Sequence, residues 1–242
     1  MPAFDLTGRQ ALVTGGGQGV GEGIVRALAA HGALVVVNDL HADRAAAVAD
    51  TVPGATVAAF DVTDGEAVTE GVAAVGPVDI LVNNAGVPEG MGVGPFADMD
   101  PGEWAKYVDL NLYGVLHCCH AVLGGMRERG WGRIVTISSG AGVTGINLGV
   151  SLYGAGKGGA IAFMRHLAVE NARAGITANC LALGLMDNKA NGEVTEHLAR
   201  SVPVGRLGQP DDVGAAVVYL ASDEAAWLTA QTINLDGGSL PS

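Results

Sequence analysis

The glycine-rich stretch at residues 14–21 constrains the fold of this chain more than any other feature. An apolar run at 11–13 precedes it and predicts a strand, and apolar residues at helical spacing follow from Ile24. The stretch therefore predicts a tight turn from a strand into a helix. The free N–H groups of such a turn and of a helix N-terminus favour an anion such as the pyrophosphate of a dinucleotide. A flexible loop is the alternative, because a chain with 38 glycines forms such clusters easily.

An acidic residue after the second predicted strand strengthens the dinucleotide interpretation. Residues 33–38 form an apolar run, and Asp39 follows it directly. A carboxylate at this strand end can accept hydrogen bonds from both ribose hydroxyls of an adenosine, although turns also often contain Asp. The same carboxylate would repel a 2′-phosphate, so the sequence predicts NAD rather than NADP. Among the neighbouring residues, only His41 is expected to offset that repulsion.

Charge and composition argue against several classes of function. The 242 residues include 13 basic and 25 acidic side chains, and the net charge of −12 would repel nucleic acid and anionic lipid surfaces. No apolar run reaches the roughly 18 residues of a membrane span, and no export signal is recognised, so a cytoplasmic protein is expected. The run from His117 through Cys118 and Cys119 to His120 lacks the helical geometry of a zinc site, so no metal is expected.

Alternating strands and helices predict one domain over residues 1–242, an α/β Rossmann fold with a doubly wound parallel sheet of about seven strands and helices on both faces. Further strands are predicted at 56–60, 78–82, 134–137, 177–181 and 232–235, and further helices at 64–74, 102–128, 151–172 and from 211. Asn111 interrupts the second of these helices. The irregular segment at about 185–210 is long enough for a substrate lid with its own short helix. Ligands bind at the carboxyl ends of the strands in such folds, where Gly15, Asp39, Asn83 and Ser139 lie.

Tyr153 and Lys157 form a candidate pair for proton transfer, since their spacing places them one turn apart on one face of a helix. A nearby ammonium favours the phenolate and brings the tyrosine pKa toward neutrality. Ser139, at the end of the preceding strand, can donate a hydrogen bond to a substrate oxygen beside the phenol. These residue types occur at such spacings by chance in most proteins, so only their place beside a dinucleotide-binding fold makes them informative.

Taken together, the motifs resemble those of the short-chain dehydrogenase/reductase family over essentially the whole chain. Residues 14–21 match its Thr-Gly-x-x-x-Gly-x-Gly turn, residues 83–86 its Asn-Asn-Ala-Gly segment, and residues 153–157 its Tyr-x-x-x-Lys pair. The resemblance implies a catalytic tetrad of Asn111, Ser139, Tyr153 and Lys157. In it, Tyr153 would exchange a proton with the substrate oxygen that Ser139 holds. Lys157 would bind the nicotinamide ribose and lower the pKa of Tyr153, and Asn111 would help to hold a water that links Lys157 to solvent.

The implied cofactor is NAD, and the motifs and the resemblance together assign its binding residues. These are Gly15, Gln18, Gly19, Val20, Gly21, Asp39, Asp61, Val62, Asn83, Ala85, Gly86, Tyr153, Lys157 and Gly184. Asp61 and the backbone of Val62 match the residues that contact adenine in the family. The chain departs from the family pattern at Leu183, where Pro is usual, and at Asn188, where Thr is common. The interval from Ser139 to Tyr153 is also about one residue longer than is common in the family.

These features identify an NAD-dependent oxidoreductase that moves a hydride between nicotinamide and a secondary alcohol or its ketone. Fatty-acyl (3-oxoacyl) thioesters, steroids, sugars or polyols and small cyclic ketones all stay open as substrates. One alternative is an epimerase or dehydratase of the related extended family, which would need a further C-terminal substrate domain. Another is a regulatory dinucleotide-binding protein without turnover, for which an intact Ser139, Tyr153 and Lys157 would have no use.

The two long predicted helices suggest how copies of the chain assemble. Family members are commonly dimers or tetramers joined through these helices. Apolar residues cover more than one face of both helices, and they are Val115, Leu116, Val122, Ile161, Phe163 and Leu167. A monomer would leave part of this surface in water, so a homotetramer is predicted.

Overall fold

A computed structural model describes residues 3–187 and 192–240. Within the second range, only the backbone is described for residues 192–194. Within these residues, one parallel sheet has the strand order β3-β2-β1-β4-β5-β6-β7. The strands are β1 (Gln10–Val13), β2 (Leu34–Asp39), β3 (Thr56–Ala59), β4 (Ile80–Asn83), β5 (Gly132–Ser139), β6 (Ile176–Leu183) and β7 (Thr232–Leu235). The predicted doubly wound sheet is confirmed. The strand order reverses between β1 and β4, which opens a crevice at their carboxyl ends.

Helices cover both faces of this sheet. They are α1 (Gly19–Ala30), α2 (Ala42–Ala49), α3 (Gly65–Val75), α4 (Trp104–Val108), α5 (Gly114–Arg129), α6 (Gly140–Val143), α7 (Ser151–Asn171), α8 (Gly192–Ala199) and α9 (Pro210–Ala221). Side chains alternate along each strand, so Ala11 and Val13 pack with α1, α2 and α9, while Leu12 packs with α3, α5 and α7. Two apolar layers therefore sandwich the sheet, which explains why its strands read as near-continuous apolar runs.

The interruption predicted at Asn111 is a π-helical segment, Asp109–Tyr113, which joins α4 to α5 without a break. Asn111 is fully buried, and its Nδ2 donates to the carbonyl of Tyr107 at 2.9 Å. A π-helical turn holds one more residue than the α-helical turns beside it, and it is frequent at functional sites. Here it directs a polar amide into the interior between α5 and α7.

The segment predicted as a lid contains α8, and its two ends are joined by backbone hydrogen bonds. Asp187 donates to the carbonyl of Gly208 at 2.8 Å, and Gly208 donates to that of Leu185 at 2.9 Å. The departure from the family pattern at Asn188 lies outside the described residues. Across residues 3–187 and 192–240, no helix has both the length and the apolar character needed to cross a membrane.

Four of the six apolar residues predicted to cover more than one face of the long helices lie in the chain's own core, and they are Val115, Val122, Ile161 and Leu167. They are buried because α5 and α7 pack against the sheet and against neighbouring helices. Leu116 and Phe163 are partly exposed, and Tyr113 and Val169 are exposed. A smaller apolar surface than predicted is therefore available to a second copy.

Candidate active site

Hydrogen bonds from β4 and the residues after it hold the glycine-rich turn in place. The backbone N–H groups of Asn84 and Ala85 both donate to the Thr14 hydroxyl, at 3.0 and 3.1 Å. The Asn84 side chain donates to the carbonyls of Thr14 and Gly15, each at 2.9 Å. Sequence reasoning did not assign this role to Asn84. Its place in the Asn-Asn-Ala-Gly segment could have indicated this role, because that segment follows β4, the strand that pairs with β1.

Several glycines of the turn are required by backbone conformation or by space. Gly15 and Gly19 have φ of 59° and 53°, the left-handed region that glycine tolerates best. A Cβ at Gly21 would collide with the carbonyl of Gly15 and would lie 2.7 Å from Asn84 Nδ2. Gln18 makes no side-chain bond to the first turn of α1, so the N–H groups there stay open to a bound group. The turn fits the pyrophosphate of a dinucleotide.

Asp39 ends β2 beside this turn, and its carboxylate is held in place. One oxygen accepts from the backbone N–H of Gly17 at 3.1 Å and the other from that of His41 at 3.0 Å. The side chain is buried, so its orientation is fixed before any ligand binds. A Cβ at Gly17 would lie 2.7 Å from Asp39 Oδ2 and 2.8 Å from the Cβ of Arg44. Sequence reasoning considered only His41 as a source of positive charge here, and the structure adds Arg44, whose Cβ in the first turn of α2 lies beside Gly17.

Asp61 and Val62 follow β3 on the same side of the crevice. Asp61 Oδ1 accepts from the backbone N–H and the hydroxyl of Thr63, at 2.9 and 2.8 Å, so the second carboxylate oxygen stays available. The Val62 carbonyl lies 3.0 Å from His117 Nδ1, which makes this nitrogen the donor. His117 Nδ1 therefore bonds to the backbone of Val62. Burial raises the pKa of the Cys119 thiol to about 12. No group of three or more His, Cys, Asp or Glu among the described residues is arranged to hold a metal ion.

Asn83 lies at the end of β4, and its side chain is directed away from the crevice. Its Nδ2 donates to the Thr136 hydroxyl at 3.1 Å and approaches Cys119 Sγ at 3.5 Å. The side chain therefore links β4 to β5 and to α5. A contact between Asn83 and a cofactor would have to come from its backbone.

Two side chains from separate helices, Lys157 and Asn111, converge at Gly86. The Lys157 ammonium is buried and donates to the carbonyl of Ile137 at 2.7 Å. A Cβ at Gly86 would collide with Lys157 Nζ and would lie 2.9 Å from Asn111 Oδ1. Asn111 Oδ1 is buried and has no hydrogen-bond partner. A buried polar atom without a partner is unusual in a folded protein, and it fits a bound water or ligand group at this position.

Ser139, at the carboxyl end of β5, and Tyr153, in the first turn of α7, lie close enough for the serine side chain to oppose the rise in the tyrosine pKa. Ser139 Oγ also accepts from the backbone N–H of Ala141 at 3.2 Å, which begins the short helix α6. Lys157 Nζ lies 5.8 Å from the centroid of the Tyr153 ring. Both hydroxyls and the ammonium therefore occupy one end of the sheet, and Asn111 meets Lys157 at Gly86.

The pKa values of this group differ from the expectation at one residue. Burial raises the pKa of Tyr153, and the Ser139 side chain opposes that rise. Burial lowers the pKa of Lys157 to about 8. The expectation that Lys157 lowers the pKa of Tyr153 is therefore wrong for this arrangement. The reason is that Lys157 is itself desolvated and donates to a backbone carbonyl, while burial of the phenol disfavours the phenolate.

Gly184 and the departure at Leu183 lie where β6 ends. Leu183 stays in the strand, opposite Ser139 of β5 and Leu235 of β7. Gly184 donates to the carbonyl of Leu235 at 3.1 Å, and a Cβ there would lie 2.7 Å from the Cα of Asp236. The strand therefore accommodates leucine where the family usually has proline. The backbone after it still passes close to β7.

A cavity of about 430 Å³ lies between the loop at 141–151 and the start of α7, next to Ser139 and Tyr153 along the chain. Its wall is formed by Ala141, Gly142, Val143, Thr144, Gly145, Ile146, Gly149, Val150, Ser151 and Gly154. None of these side chains is charged. One edge of the sheet, where the strands end, carries the glycine-rich turn, Asp39, Gly86 and Ser139, and Tyr153 approaches it from α7. A dinucleotide crevice and a substrate space therefore adjoin.

The chain is similar to well-described oxidoreductases over nearly its full length. A family model described as enoyl-(acyl carrier protein) reductase matches residues 15–239. An acetoacetyl-CoA reductase from Shinella zoogloeoides is 40% identical over 239 residues, which cover 95% of this chain and 98% of that relative. Among solved structures, a short-chain type dehydrogenase/reductase from Mycobacterium marinum has a TM-score of 0.90 at 30% identity, over 99% of this chain and 98% of the other. A gluconate 5-dehydrogenase from Burkholderia cenocepacia, in complex with NADP and tartrate, has a TM-score of 0.89 at 34% identity, over 98% and 96%.

Proposed function

Because the chain belongs to the short-chain dehydrogenase/reductase family, we propose that it interconverts a secondary alcohol and its ketone with NAD as the cofactor. The observation that carries this proposal is the juxtaposition of Ser139 and Tyr153 beside a buried Lys157. A protein that only binds dinucleotides has no need for such a pair next to an uncharged cavity.

The residues that would hold the cofactor follow the crevice from one end to the other. The turn residues Gly15, Gln18, Gly19, Val20 and Gly21 would bind the pyrophosphate, Asp39 the adenosine ribose, and Asp61 with Val62 the adenine. Ala85, Gly86, Tyr153, Lys157, Gly184 and the backbone of Asn83 would surround the nicotinamide and its ribose. When bound, the nicotinamide supplies the acceptor or donor of the hydride.

The chain's own chemistry would be the handling of a proton. In alcohol oxidation, Tyr153 would take the proton from the hydroxyl that Ser139 orients, and in ketone reduction it would return that proton to the oxygen. The raised pKa of Tyr153 suits the donor role near neutral pH. Lys157, with a pKa of about 8, can pass a proton at similar pH, and the unpartnered Oδ1 of Asn111 beside it would hold the water that continues the path.

The choice of NAD rests on the balance between Asp39 and Arg44. The Asp39 carboxylate is buried and fixed by two backbone donors, so a 2′-phosphate would meet a charge that cannot move away. Arg44 is exposed, and an exposed, mobile cation is screened by solvent. Like charges at a binding surface cost several kcal/mol, so we expect a preference for NAD on the order of a hundredfold. A related structure holds NADP, which makes Arg44 the residue to test.

We also propose a homotetramer and a cytoplasmic location. The partly exposed Leu116 and Phe163, together with the exposed Val169, leave an apolar surface on α5 and α7 that a second copy would cover. Cys118, Cys119 and Cys180 are free and buried, as is usual in a reducing compartment. Light scattering at micromolar concentration tests the assembly, and a stable monomer would contradict it.

The activity itself is tested with purified protein, NAD(H) and a panel of alcohols and ketones followed through cofactor absorbance. Fluorescence titration with NADH separately measures binding. We expect both binding and turnover. Tight binding without turnover on any compound would favour a regulatory protein instead.

A further inference from the structure

The segment at 87–100 contacts the cavity wall at Gly149, and in the proposed function this edge is the mouth of the substrate cavity. It begins directly after Gly86, where Lys157 and Asn111 meet, and it contacts the cavity loop at Gly149. Gly94 donates to the carbonyl of Gly149 at 2.9 Å, and a Cβ at Gly149 would lie 2.5 Å from the nitrogen of Gly94. Any compound that reaches the cavity through this mouth must therefore pass the side chains of the segment.

The exposed side chains at this mouth include several that are apolar. Val87, Val93 and Phe96 are 72%, 73% and 47% exposed, and the Phe96 ring contacts that of Trp104 at 5.1 Å between centroids. Val143 and Leu148, from the cavity loop, are exposed on the other side. Exposed apolar residues gathered around a cavity mark a surface that binds apolar groups.

The charges at this mouth are negative. Glu89 and Asp98 are exposed, and residues 84–105 contain no Lys or Arg. Residues 134–156, which include the cavity loop, contain no charged residue of either sign. The nearest cation along the chain, Lys106, forms an ion pair with Glu103. In the described part of the lid, Arg206 forms an ion pair with Asp212, and Arg200 is exposed directly after α8.

We propose that the substrate is an uncharged ketone or secondary alcohol with an apolar substituent, and that the 87–100 segment disfavours anionic substrates. This inference rests on the proposed function. A coenzyme A thioester carries several phosphate charges, and a sugar acid carries a carboxylate. Both would meet the exposed carboxylates of Glu89 and Asp98, and residues 84–105 contain no Lys or Arg to offset them, so we expect this chain to differ in substrate from the acetoacetyl-CoA reductase and the gluconate 5-dehydrogenase that it resembles.

One matched pair of substrates tests the charge argument directly. Acetoacetyl-CoA and acetoacetyl-N-acetylcysteamine carry the same reacting ketone, but the second has no phosphate. We expect kcat/KM to favour the neutral thioester on the order of tenfold at about 0.01 M salt, and the gap to close near 1 M salt, because the Debye length falls from about 30 to about 3 Å. A preference for acetoacetyl-CoA, or for 5-ketogluconate over neutral ketones, would overturn the inference. Turnover of none of these compounds would instead count against the proposed function.

A second pair tests the apolar substituent. We expect kcat/KM for 2-octanone to exceed that for 2-butanone by on the order of tenfold or more, since each buried methylene contributes about 0.8 kcal/mol. Val93→Ser and Phe96→Ser should each shrink this ratio. The matched control is Val57→Ser, an exposed valine on β3, which should leave the ratio unchanged. Equal rates for the two ketones in the wild type would overturn the inference.

Charge reversal at the mouth completes the test. Glu89→Lys combined with Asp98→Lys should raise the ratio of kcat/KM for acetoacetyl-CoA to that for the neutral thioester by on the order of tenfold at low salt. Glu70→Lys, an exposed acid on α3, is the control. The competing explanation is that a second copy of the chain covers the apolar side chains. A changed oligomeric state of Val93→Ser by light scattering, with the ketone ratio intact, would establish that explanation and overturn ours.

Discussion

The cofactor side and the substrate side of this molecule are built in opposite ways. On the cofactor side, Thr14 and Asn84 hold the glycine turn through five hydrogen bonds of 2.9 to 3.4 Å, and Gly21 and Gly86 have no room for a Cβ. On the substrate side, Gly90 and Gly92 have open space around them, and Val93 is exposed. The first region tolerates almost no change of shape, whereas the second can vary without disturbing the fold.

This difference indicates where substrate specificity can change. A cofactor crevice made of buried backbone contacts fixes the class of reaction, since Ser139 and Tyr153 stand at the ends of the same rigid sheet. A mouth made of exposed loops sets which compound reaches them. We therefore expect substitutions on the cofactor side to change turnover and cofactor binding, and substitutions at the mouth to change the choice of substrate.

The largest expected effect follows from replacing Tyr153 by Phe. Only the phenolic hydroxyl is lost, so the fold and NADH affinity should stay close to those of the wild type. Turnover should fall by about 10²- to 10⁴-fold, the usual contribution of a general acid or base. Steady-state kcat and a fluorescence titration with NADH give the two readouts. A variant with near wild-type kcat would remove Tyr153 from the mechanism.

The next largest effect concerns the choice of cofactor. Asp39→Ser with Leu40→Arg should narrow or reverse an NAD preference that we expect to be on the order of a hundredfold. Arg44→Gln should change the kcat/KM with NADP by only a fewfold, because Arg44 is exposed. The ratio of kcat/KM for the two cofactors is measured in each protein. Equal use of both by the wild type would show that Asp39 does not meet the adenosine ribose.

A pair of glycine variants tests the division between the two sides most simply. Gly21→Ala places a Cβ against the Gly15 carbonyl and Asn84, and we expect a loss of about 1–3 kcal/mol in stability together with weaker NADH binding. Gly92→Ala adds a methyl group in open space and should change stability by less than about 0.5 kcal/mol. Thermal unfolding and NADH titration compare the two. Similar losses in both variants would contradict the division.

The smallest effect is a pH dependence of stability from Lys157. Its pKa falls from 10.5 to about 8 on folding, so between these values the unfolded chain binds more protons than the folded one. Stability contributed by this group therefore rises with pH in that window. From pH 8 to pH 9 the free energy of unfolding should rise by about 1 kcal/mol in the wild type relative to Lys157→Met. Urea unfolding at both pH values measures it, and parallel pH profiles would show that the ammonium is not desolvated.

The sequence predicted local elements well and contacts between distant segments poorly. The helix at 64–74, which Asp64 caps, the interruption at Asn111 and the last strand at 232–235 all follow from local patterns, and the structure has each of them. These features depend on capping chemistry and periodicity, which neighbouring residues determine.

Contacts between distant segments could not be predicted in this way. Arg44 lies beside Asp39 because α2 folds back over the glycine turn, and no spacing in the sequence indicates that approach. The Tyr153 pKa is raised rather than lowered because burial, a property of the whole fold, outweighs the opposing effect of Ser139. Val115, Val122, Ile161 and Leu167, four of the apolar residues on α5 and α7 from which assembly was predicted, proved to be core for the same reason.

The central claim is that a hydride passes between a nicotinamide and a substrate carbon next to Tyr153. The most direct measurement uses NADH deuterated at C4, each face in turn, with a neutral ketone in ordinary water, followed by mass spectrometry of the alcohol. We predict one deuterium on the carbinol carbon from one face only, and almost none with Tyr153→Phe over the same time. An alcohol without deuterium would contradict the account, as would isotope exchange with solvent at a substrate carbon without net oxidation, which would indicate an epimerase or dehydratase.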